Sequence, residues 1–301
     1  MALKTISGTL MPTAPFDFDK ALRFTDTLMP MQGEQTIANG ALTKALALGG
    51  KTVVFRVWSV GTVDAPRLEY TLHARSALTE VEQAQAAARL GAFLSIHDDL
   101  HLFYAIGRSD ARFEPLIDQL HGYHQVRFPT PFEAACWAIL AQRTSMVVAH
   151  KHKRNLLAAF SSGLKVKGVE YRPFPEAATL ARADEGAIRA AVADRRKAGY
   201  ISAAARAFDG MSDTWLQASP IAAVRAWLGD IRGIGEWSTG LVLLRGLGRM
   251  ETVPLNDERI VAAARRVYGD VSIAELREMA DLFGPYQGYW GHYLRVAEVI
   301  E

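Results

Sequence analysis

The stretch that decides the fold runs from Ser219 to Tyr268 and reads SPIAAVRAWLGDIRGIGEWSTGLVLLRGLGRMETVPLNDERIVAAARRVY. Its serine can cap a helix, and Pro220 suits the first helical turn because proline's missing N–H is not needed there. Apolar residues then recur at helical spacing, and Gly229 is the predicted stop. A second apolar helix is predicted over about 236–247, with Gly248 ending it. The stretch therefore predicts two helices joined by a glycine turn.

The predicted turn has the sequence Ile231-Arg232-Gly233-Ile234-Gly235. Its two glycines let the backbone approach a phosphate closely, and the start of the next helix offers unpaired N–H groups and the positive end of the helix dipole. An ordinary antiparallel helix pair closed by glycines has the same pattern. The turn alone therefore leaves a phosphate-binding hairpin and a purely structural hairpin both open.

The segment after the hairpin, Val253-Pro254-Leu255-Asn256-Asp257, predicts the start of another helix. Pro254 interrupts what precedes it, and Asn256 is a good helix cap. Asp257 then falls in the first helical turn, where the dipole favours an ionised carboxylate. A simple dipole-matching acid is the alternative to a functional one.

Together the turn and this segment resemble the helix-hairpin-helix (HhH-GPD) DNA glycosylase superfamily, and most of all its bacterial DNA-3-methyladenine glycosylase II type. In that superfamily the hairpin is followed by a Gly/Pro-containing loop and an aspartate. The turn is similar to the superfamily's Leu-Pro-Gly-Ile-Gly, with Arg232 where proline is usual. The resemblance implies that Asp257 is the catalytic aspartate and that the hairpin binds DNA through Gly233, Ile234, Gly235 and Thr239.

The resemblance also carries an expectation about ions. The superfamily binds a monovalent cation, Na⁺ or K⁺, through backbone carbonyls of the hairpin turn. Here those carbonyls would belong to Gly229, Ile231 and Gly233. Backbone ligands leave no side-chain signature, so the resemblance alone supports this site. No other cofactor is expected.

Composition and charge set wider limits. The chain has 301 residues and a formal net charge of +2, so a nucleic-acid surface must be a local patch. The single cysteine, Cys136, excludes an intrachain disulfide and a cysteine-ligated iron–sulfur cluster. Neither a signal peptide nor a membrane-spanning run is recognisable, so a cytoplasmic monomer is expected.

The first third of the chain predicts a different kind of structure from the rest. Residues 52–58 and 68–73 are typical of strands, with turn residues between them, and an alanine-rich helix is predicted over 78–90. The expected fold class is α+β: a small N-terminal antiparallel β-sheet domain, residues 1–108, precedes a mostly α-helical glycosylase domain, residues 109–301. The helix-hairpin-helix lies at about 219–248.

Two further segments resemble parts of the superfamily that act on the base. Ala141-Gln142-Arg143-Thr144-Ser145 is similar to its Gly-Gln-x-x-Ser turn, which faces the minor groove. This implies that Gln142 contacts DNA and that Arg143, where Leu or Gln is usual, acts as a wedge that inserts where the flipped base has left the stack. A generic phosphate contact is an equally open alternative for Arg143. Phe24 follows a Pro-aromatic-Asp segment similar to the superfamily's, which implies a place at the base pocket, with a plain core role as the alternative.

The chemistry implied is base release. The enzyme flips a damaged, alkylated purine out of duplex DNA, and Asp257 stabilises the oxocarbenium-like sugar as the glycosidic bond breaks. Bifunctional members carry a lysine two residues after the last turn glycine. This chain has Trp237 at that position, which predicts a monofunctional hydrolase without β-lyase activity. The indole ring of Trp237 can stack on the base or anchor the core.

Three departures keep the substrate open. Leu241, Glu258 and Arg295 occupy positions that are aromatic in the pocket region of the type it resembles. A neutral oxidised or deaminated base is therefore an alternative substrate. A non-enzymatic helix-hairpin-helix DNA-binding protein is the alternative function.

Two polar clusters are predicted to have no catalytic role. His97-Asp98-Asp99 is expected to form a loop before a helix, because three adjacent side chains do not easily converge on one ion. The basic run at 150–154 is expected to be a solvated helix face, with phosphate contacts as the alternative.

Overall fold

Five strands near the N-terminus form one antiparallel sheet in the order β1-β5-β4-β3-β2. The computed structural model describes residues 3–300. The strands are β1 (Lys4–Leu10), β2 (Gln35–Ala38), β3 (Ala41–Leu48), β4 (Lys51–Ser59) and β5 (Leu68–Ala74). The β4–β5 hairpin predicted from the sequence is confirmed, with Val54 paired to His73.

Helices form most of the remainder and confirm the α+β class. They are α1 (Phe18–Thr27), α2 (Glu80–Phe93), α3 (His101–Arg108), α4 (Glu114–Gln119), α5 (Pro131–Ala141), α6 (Met146–Phe160), α7 (Ala177–Ala181), α8 (Glu185–Val192), α9 (Arg195–Asp209), α10 (Asp213–Ala218), α11 (Ile221–Asp230), α12 (Glu236–Leu241), α13 (Glu258–Tyr268), α14 (Ile273–Leu282) and α15 (Gln287–Val296). A small hairpin, β6 (Leu164–Val166) and β7 (Val169–Tyr171), lies between α6 and α7. Its apolar side chains pack on Ala45 and Val54 of the sheet.

The helix-hairpin-helix is formed by α11 and α12. The second helix continues through a π-helical segment, Val242–Leu247, and ends at Gly248 in the left-handed conformation with φ +70°, as predicted. Two details of the prediction are wrong. Pro220 takes the N-cap position in place of Ser219, and α11 runs through Gly229, which keeps a helical φ and therefore does not end the helix.

One hydrophobic core extends from the sheet region into the helices. It includes Phe16 and Phe55 from the first 108 residues and Trp137 and Trp290 from the later ones. The proposed boundary at residue 108 falls at the end of α3, but the buried side chains on its two sides are continuous. Within residues 3–300, none of the helices combines the length and hydrophobicity needed to cross a lipid bilayer.

A buried ion cluster also joins the two parts of the chain, which corrects the expectation for the basic run. Lys153 is fully buried, and its Nζ lies 2.6 Å from Glu34 Oε1 and 2.7 Å from Glu133 Oε1. Lys44 pairs with Glu34 at 2.8 Å. Burial raises the pKa of Glu34, but the charges of Lys153 and Lys44 outweigh it and hold this pKa below its usual range. The lysine in the middle of the basic run is therefore a core residue.

Candidate active site and DNA-facing surface

Asp257 is the N-cap of α13. The sequence predicted this cap one residue earlier, at Asn256, with Asp257 in the first helical turn. Its Oδ1 accepts a hydrogen bond from the N–H of Arg259 at 3.0 Å, while Asn256, the expected cap, is exposed. Capping satisfies a helical N–H that would otherwise lack a partner. Because only one carboxylate oxygen is used in this way, the other is left for a ligand.

Asp257 lines a small, partly open cavity of about 50 Å³. Its walls come from the loop before α5, from α12 and the π-helical segment, from the start of α13, and from α15; they are Gln125, Trp237, Leu241, Leu244, Arg245, Pro254, Asp257, Ile260, Gly288, Gly291, His292 and Arg295. Such a volume holds one or two water molecules, so a purine enters only if side chains move. The structure thus brings together Asp257, the expected catalytic residue, and Trp237, one of the two residues expected at the base pocket.

Phe24, expected at the base pocket, lies behind the cavity wall. It is buried in the core and its ring meets His292 edge-on with centroids 5.5 Å apart. The guanidinium of Arg245 lies 5.0 Å from the centroid of the same ring. The phenylalanine therefore supports two cavity residues and does not itself line the cavity.

The cavity is more cationic than the sequence alone suggested. Burial lowers the pKa of the Arg245 guanidinium to about 10, which still leaves it charged at neutral pH, and burial also lowers the pKa of Arg295. Burial also holds the pKa of His292 well below its usual range, which leaves the ring neutral. Among residues 3–300, neither arginine forms an ion pair, although the charge of Asp257 partly offsets the shift of Arg295.

Three polar cavity residues were missed by sequence reasoning. Gln125, Arg245 and His292 come from three separate segments. Arg245 did leave a signal, because it interrupts the otherwise apolar run Val242–Leu247. Glu258, flagged in the sequence, is exposed and lies outside the cavity, while Leu241 and Arg295 line it.

The hairpin turn uses its two glycines differently. Gly233 has φ +95°, and a Cβ built there would lie 2.3 Å from Cγ of Tyr200. Gly235 is exposed and extended at φ −93°, and a Cβ there would meet nothing within 4 Å. The first glycine is required by the fold, and the second leaves an open backbone at the surface.

Two predicted DNA contacts on the hairpin point inward instead. Ile234 is buried, and its N–H already donates to the carbonyl of Ile231 at 2.9 Å. Thr239 is 2% exposed, so its side chain cannot reach a duplex. Their apolar and small side chains fill the space beneath the turn, which leaves Gly233 and Gly235 to present the backbone.

Gln142 makes contacts within the protein that the sequence did not predict. Its amide nitrogen donates to the carbonyl of Gly233 at 2.7 Å and to Oγ of Ser238 at 3.2 Å. Gln142, which is half-buried, therefore ties the α5–α6 turn to the hairpin. Arg143, next in the chain, is exposed and takes the left-handed backbone conformation at φ +48°.

A lysine from α9 holds the α5–α6 turn from behind. Nζ of Lys197 donates to the carbonyl of Leu140 at 2.7 Å and also to Oγ1 of Thr144. Non-glycine residues with positive φ carry a strain of about 1–3 kcal/mol and need such support. The turn is thus fixed on two sides, by Gln142 and Lys197, with the side chain of Arg143 left outward.

The carbonyls expected to bind a cation are partly engaged. Ile231 O accepts from Ile234, and Gly233 O accepts from Gln142. Each carbonyl keeps a second lone pair, which is the kind of ligand that Na⁺ or K⁺ takes.

At the loop before α3, Asp98 pairs with Arg127 at 2.7 Å and Asp99 accepts a hydrogen bond from the N–H of His101, which agrees with the predicted loop before a helix.

Comparison with known proteins identifies the helical part of the chain. Residues 136–282 match the family described as "HhH-GPD superfamily base excision DNA repair protein". A DNA-3-methyladenine glycosylase of Bacillus subtilis is 23% identical over 263 residues, which cover 86% of each chain.

Two solved structures share the whole fold. The 3-methyladenine DNA glycosylase of Archaeoglobus fulgidus superposes with a TM-score of 0.76 at 20% identity, covering 96% of this chain and 97% of that one. An 8-oxoguanine glycosylase/lyase of Clostridium acetobutylicum, solved with DNA containing cytosine opposite 8-oxoguanine, has a TM-score of 0.68 at 17% identity and covers 98% and 96%. Residues 136–282, which contain the hairpin and Asp257, thus match the HhH-GPD superfamily of base excision DNA repair proteins.

Proposed function

We propose that this protein is a monofunctional DNA glycosylase, which flips a damaged base out of duplex DNA and hydrolyses its N-glycosidic bond. The proposal rests on one observation. Asp257 and Trp237 line the same cavity, and the hairpin turn with its exposed Gly235 directly precedes the helix α12 that carries Trp237. The names of its relatives indicate alkylated purines as a substrate class.

Asp257 supplies the negative charge that the reaction needs. As the C1′–N bond stretches, the sugar becomes oxocarbenium-like, and a fixed carboxylate stabilises it more than it stabilises the ground state. One carboxylate oxygen is held by the N–H of Arg259, so the other can face the sugar or orient the attacking water. The bond's electron pair leaves with the base, the water oxygen bonds C1′, and its proton passes through the carboxylate.

The DNA-facing surface supplies anchoring and extrusion. The backbone at Gly235 and the first N–H groups of α12 contact a phosphate, without reading sequence. Arg143, outward on its strained turn, fills the gap that the flipped nucleotide leaves. Trp237 is half-buried at the cavity and moves to admit the base, on which it then stacks.

The remaining parts of the proposal concern lyase chemistry and binding state. An indole cannot form a Schiff base with the sugar, which argues for hydrolysis alone at Trp237. A Na⁺ or K⁺ ion at the carbonyls of Gly229, Ile231 and Gly233 would add positive charge beside the phosphate. A cytoplasmic monomer acting on damaged double-stranded DNA is the proposed state.

Base release from defined duplexes tests the function. The protein is incubated with lesion-containing DNA, and the freed base and abasic sites are quantified, with strand cleavage measured before and after alkali. We expect abasic sites that become strand breaks only with alkali. Binding of DNA with no base released from any lesion would instead favour the non-enzymatic module, and breaks without alkali would contradict the monofunctional assignment.

A further inference from the structure

Within residues 3–300, two buried polar atoms at the cavity have no hydrogen-bond partner. They are Oε1 of Gln125, whose side chain is 1% exposed, and Nε of Arg245. Both residues line the same cavity as Asp257. Leaving a buried polar group unsatisfied costs about 1–3 kcal/mol, so such groups are retained when a ligand satisfies them.

The same segment of chain that carries Gln125 also holds Arg245. Nη2 of Arg245 donates to the carbonyl of Val126 at 2.9 Å, and Val126 directly follows Gln125. The carbonyl of Gln125 in turn accepts from Oγ of Ser95 at 2.5 Å. With Phe24 against its guanidinium, Arg245 is fixed on one side and keeps the Nε–H side free.

Resting on the proposed glycosylase function, we propose that Gln125 and Arg245 read the lactam edge of a neutral damaged base. A lactam presents an N–H donor beside a C=O acceptor. The unpartnered Gln125 oxygen accepts from the first, and the unpartnered Arg245 N–H donates to the second. Deaminated and oxidised bases have this edge, and the cavity takes them in preference to cationic alkylpurines.

The charge in the cavity points the same way. The charge of Asp257 offsets part of that of Arg295, but among residues 3–300 no carboxylate shifts the pKa of Arg245, so a base that already carries a positive charge is repelled by the Arg245 guanidinium. A neutral base, by contrast, gathers negative charge as it takes the electron pair of the C1′–N bond. Fixed positive charges stabilise the departing base while it is negative. The base then gains a proton and becomes neutral. The arginines therefore assist a poor leaving group and hinder a cationic substrate.

Four lesions separate lactam reading from charge. Hypoxanthine is neutral with a lactam edge, and 1,N⁶-ethenoadenine is neutral without one. 7-Methylguanine is cationic with a lactam, and 3-methyladenine is cationic without one. We expect the wild type to release hypoxanthine fastest in single-turnover assays, at least about tenfold faster than ethenoadenine.

Variants then assign the effect to the two side chains. Gln125→Leu should slow hypoxanthine release about tenfold and leave ethenoadenine release nearly unchanged. Arg245→Lys keeps the charge but removes the Nε–H, and should also slow hypoxanthine selectively. Gln125→Glu keeps an acceptor and adds a negative charge, so it should raise release of 3-methyladenine relative to hypoxanthine. Gln83→Leu, on α2 away from the cavity, is the matched control and should leave the profile unchanged.

The outcomes distinguish this inference from the function on which it rests. If the wild type releases 3-methyladenine fastest and Gln125→Leu slows all four lesions alike, lactam reading is overturned while the glycosylase function stands. If the wild type releases no base from any duplex, the glycosylase function itself fails. Should Gln125→Leu not fold, the wild-type profile over the four lesions still decides.

Discussion

The hairpin turn and the cavity beside it are built in opposite ways. The turn is one contiguous stretch, residues 231–235, although Tyr200 and Gln142 pack against it. The cavity takes its walls from segments as far apart as Gln125 and Arg295. The part that would anchor DNA is therefore encoded locally, and the part that would select a base depends on how distant segments pack.

Their chemistry differs as well. The turn offers backbone groups with little side-chain character, which suits a phosphate that is the same in every nucleotide. The cavity concentrates side-chain charge and unsatisfied polar atoms, which suits discrimination between bases. If this division is correct, substitutions in the cavity should change chemistry and selectivity, and substitutions in the turn should change affinity for all duplexes alike.

The largest effect is expected for Asp257→Asn. Asparagine also caps helices, so α13 should keep its start and the stability should change by less than about 1 kcal/mol. Base release should fall by about 10³-fold or more, because the charge opposite the sugar is lost. Single-turnover release and thermal unfolding measure the two effects together. Release at the wild-type rate would remove Asp257 from the chemistry.

Gly233→Ala should come next, as a loss of stability. The new methyl group would strain a backbone at φ +95° and collide with the ring of Tyr200. We expect a cost of about 2–3 kcal/mol in the free energy of unfolding, measured by urea denaturation. Gly235→Ala, at an open extended position, is the matched control and should cost less than about 1 kcal/mol. Equal losses would mean that the turn's shape does not depend on Gly233.

Gly235→Val tests whether the exposed glycine serves the DNA. A branched side chain there meets no protein atom within 4 Å, so it should hinder a phosphate more than the fold. Affinity should fall about tenfold for lesion and undamaged duplexes alike, as measured by fluorescence anisotropy. A loss confined to lesion duplex would place this turn at the base pocket and erase the division between the two regions.

The smallest effect is expected for Arg143→Ala. Removing this side chain should lower the affinity for lesion duplex about fivefold and slow the extrusion of the damaged nucleotide. The effect is small because Arg143 offsets only part of the cost of unstacking that nucleotide, which is a few kcal/mol. It should also change how release depends on the base opposite the lesion, because the guanidinium can bond to that base.

Arg143→Gly is the control for the backbone strain. Glycine relieves the positive φ, so this variant should be at least as stable as the wild type and should still lose the opposing-base dependence. An opposing-base profile that neither substitution changes would leave Arg143 as a phosphate contact.

What the sequence determined by itself is the set of features that neighbours in the chain control. Caps and glycine stops depend on a few adjacent residues, so the helix from 236 to Gly248 and the β4–β5 hairpin could be predicted. The same holds for Asp257 at the start of α13, where the prediction erred by one position because proline and asparagine were weighted above the aspartate's own capping.

Only the tertiary structure decided which polar side chains are buried and what they meet. Lys153 belongs to a basic run in the sequence, yet distant carboxylates make it a core residue. Gln142 bonds the hairpin, Thr239 is covered, and Gln125 and Arg245 meet at the cavity. The physical reason is that burying a charge or an amide is favourable only with the right partner, and those partners lie 20 to 119 residues away in the chain, beyond the reach of local patterns.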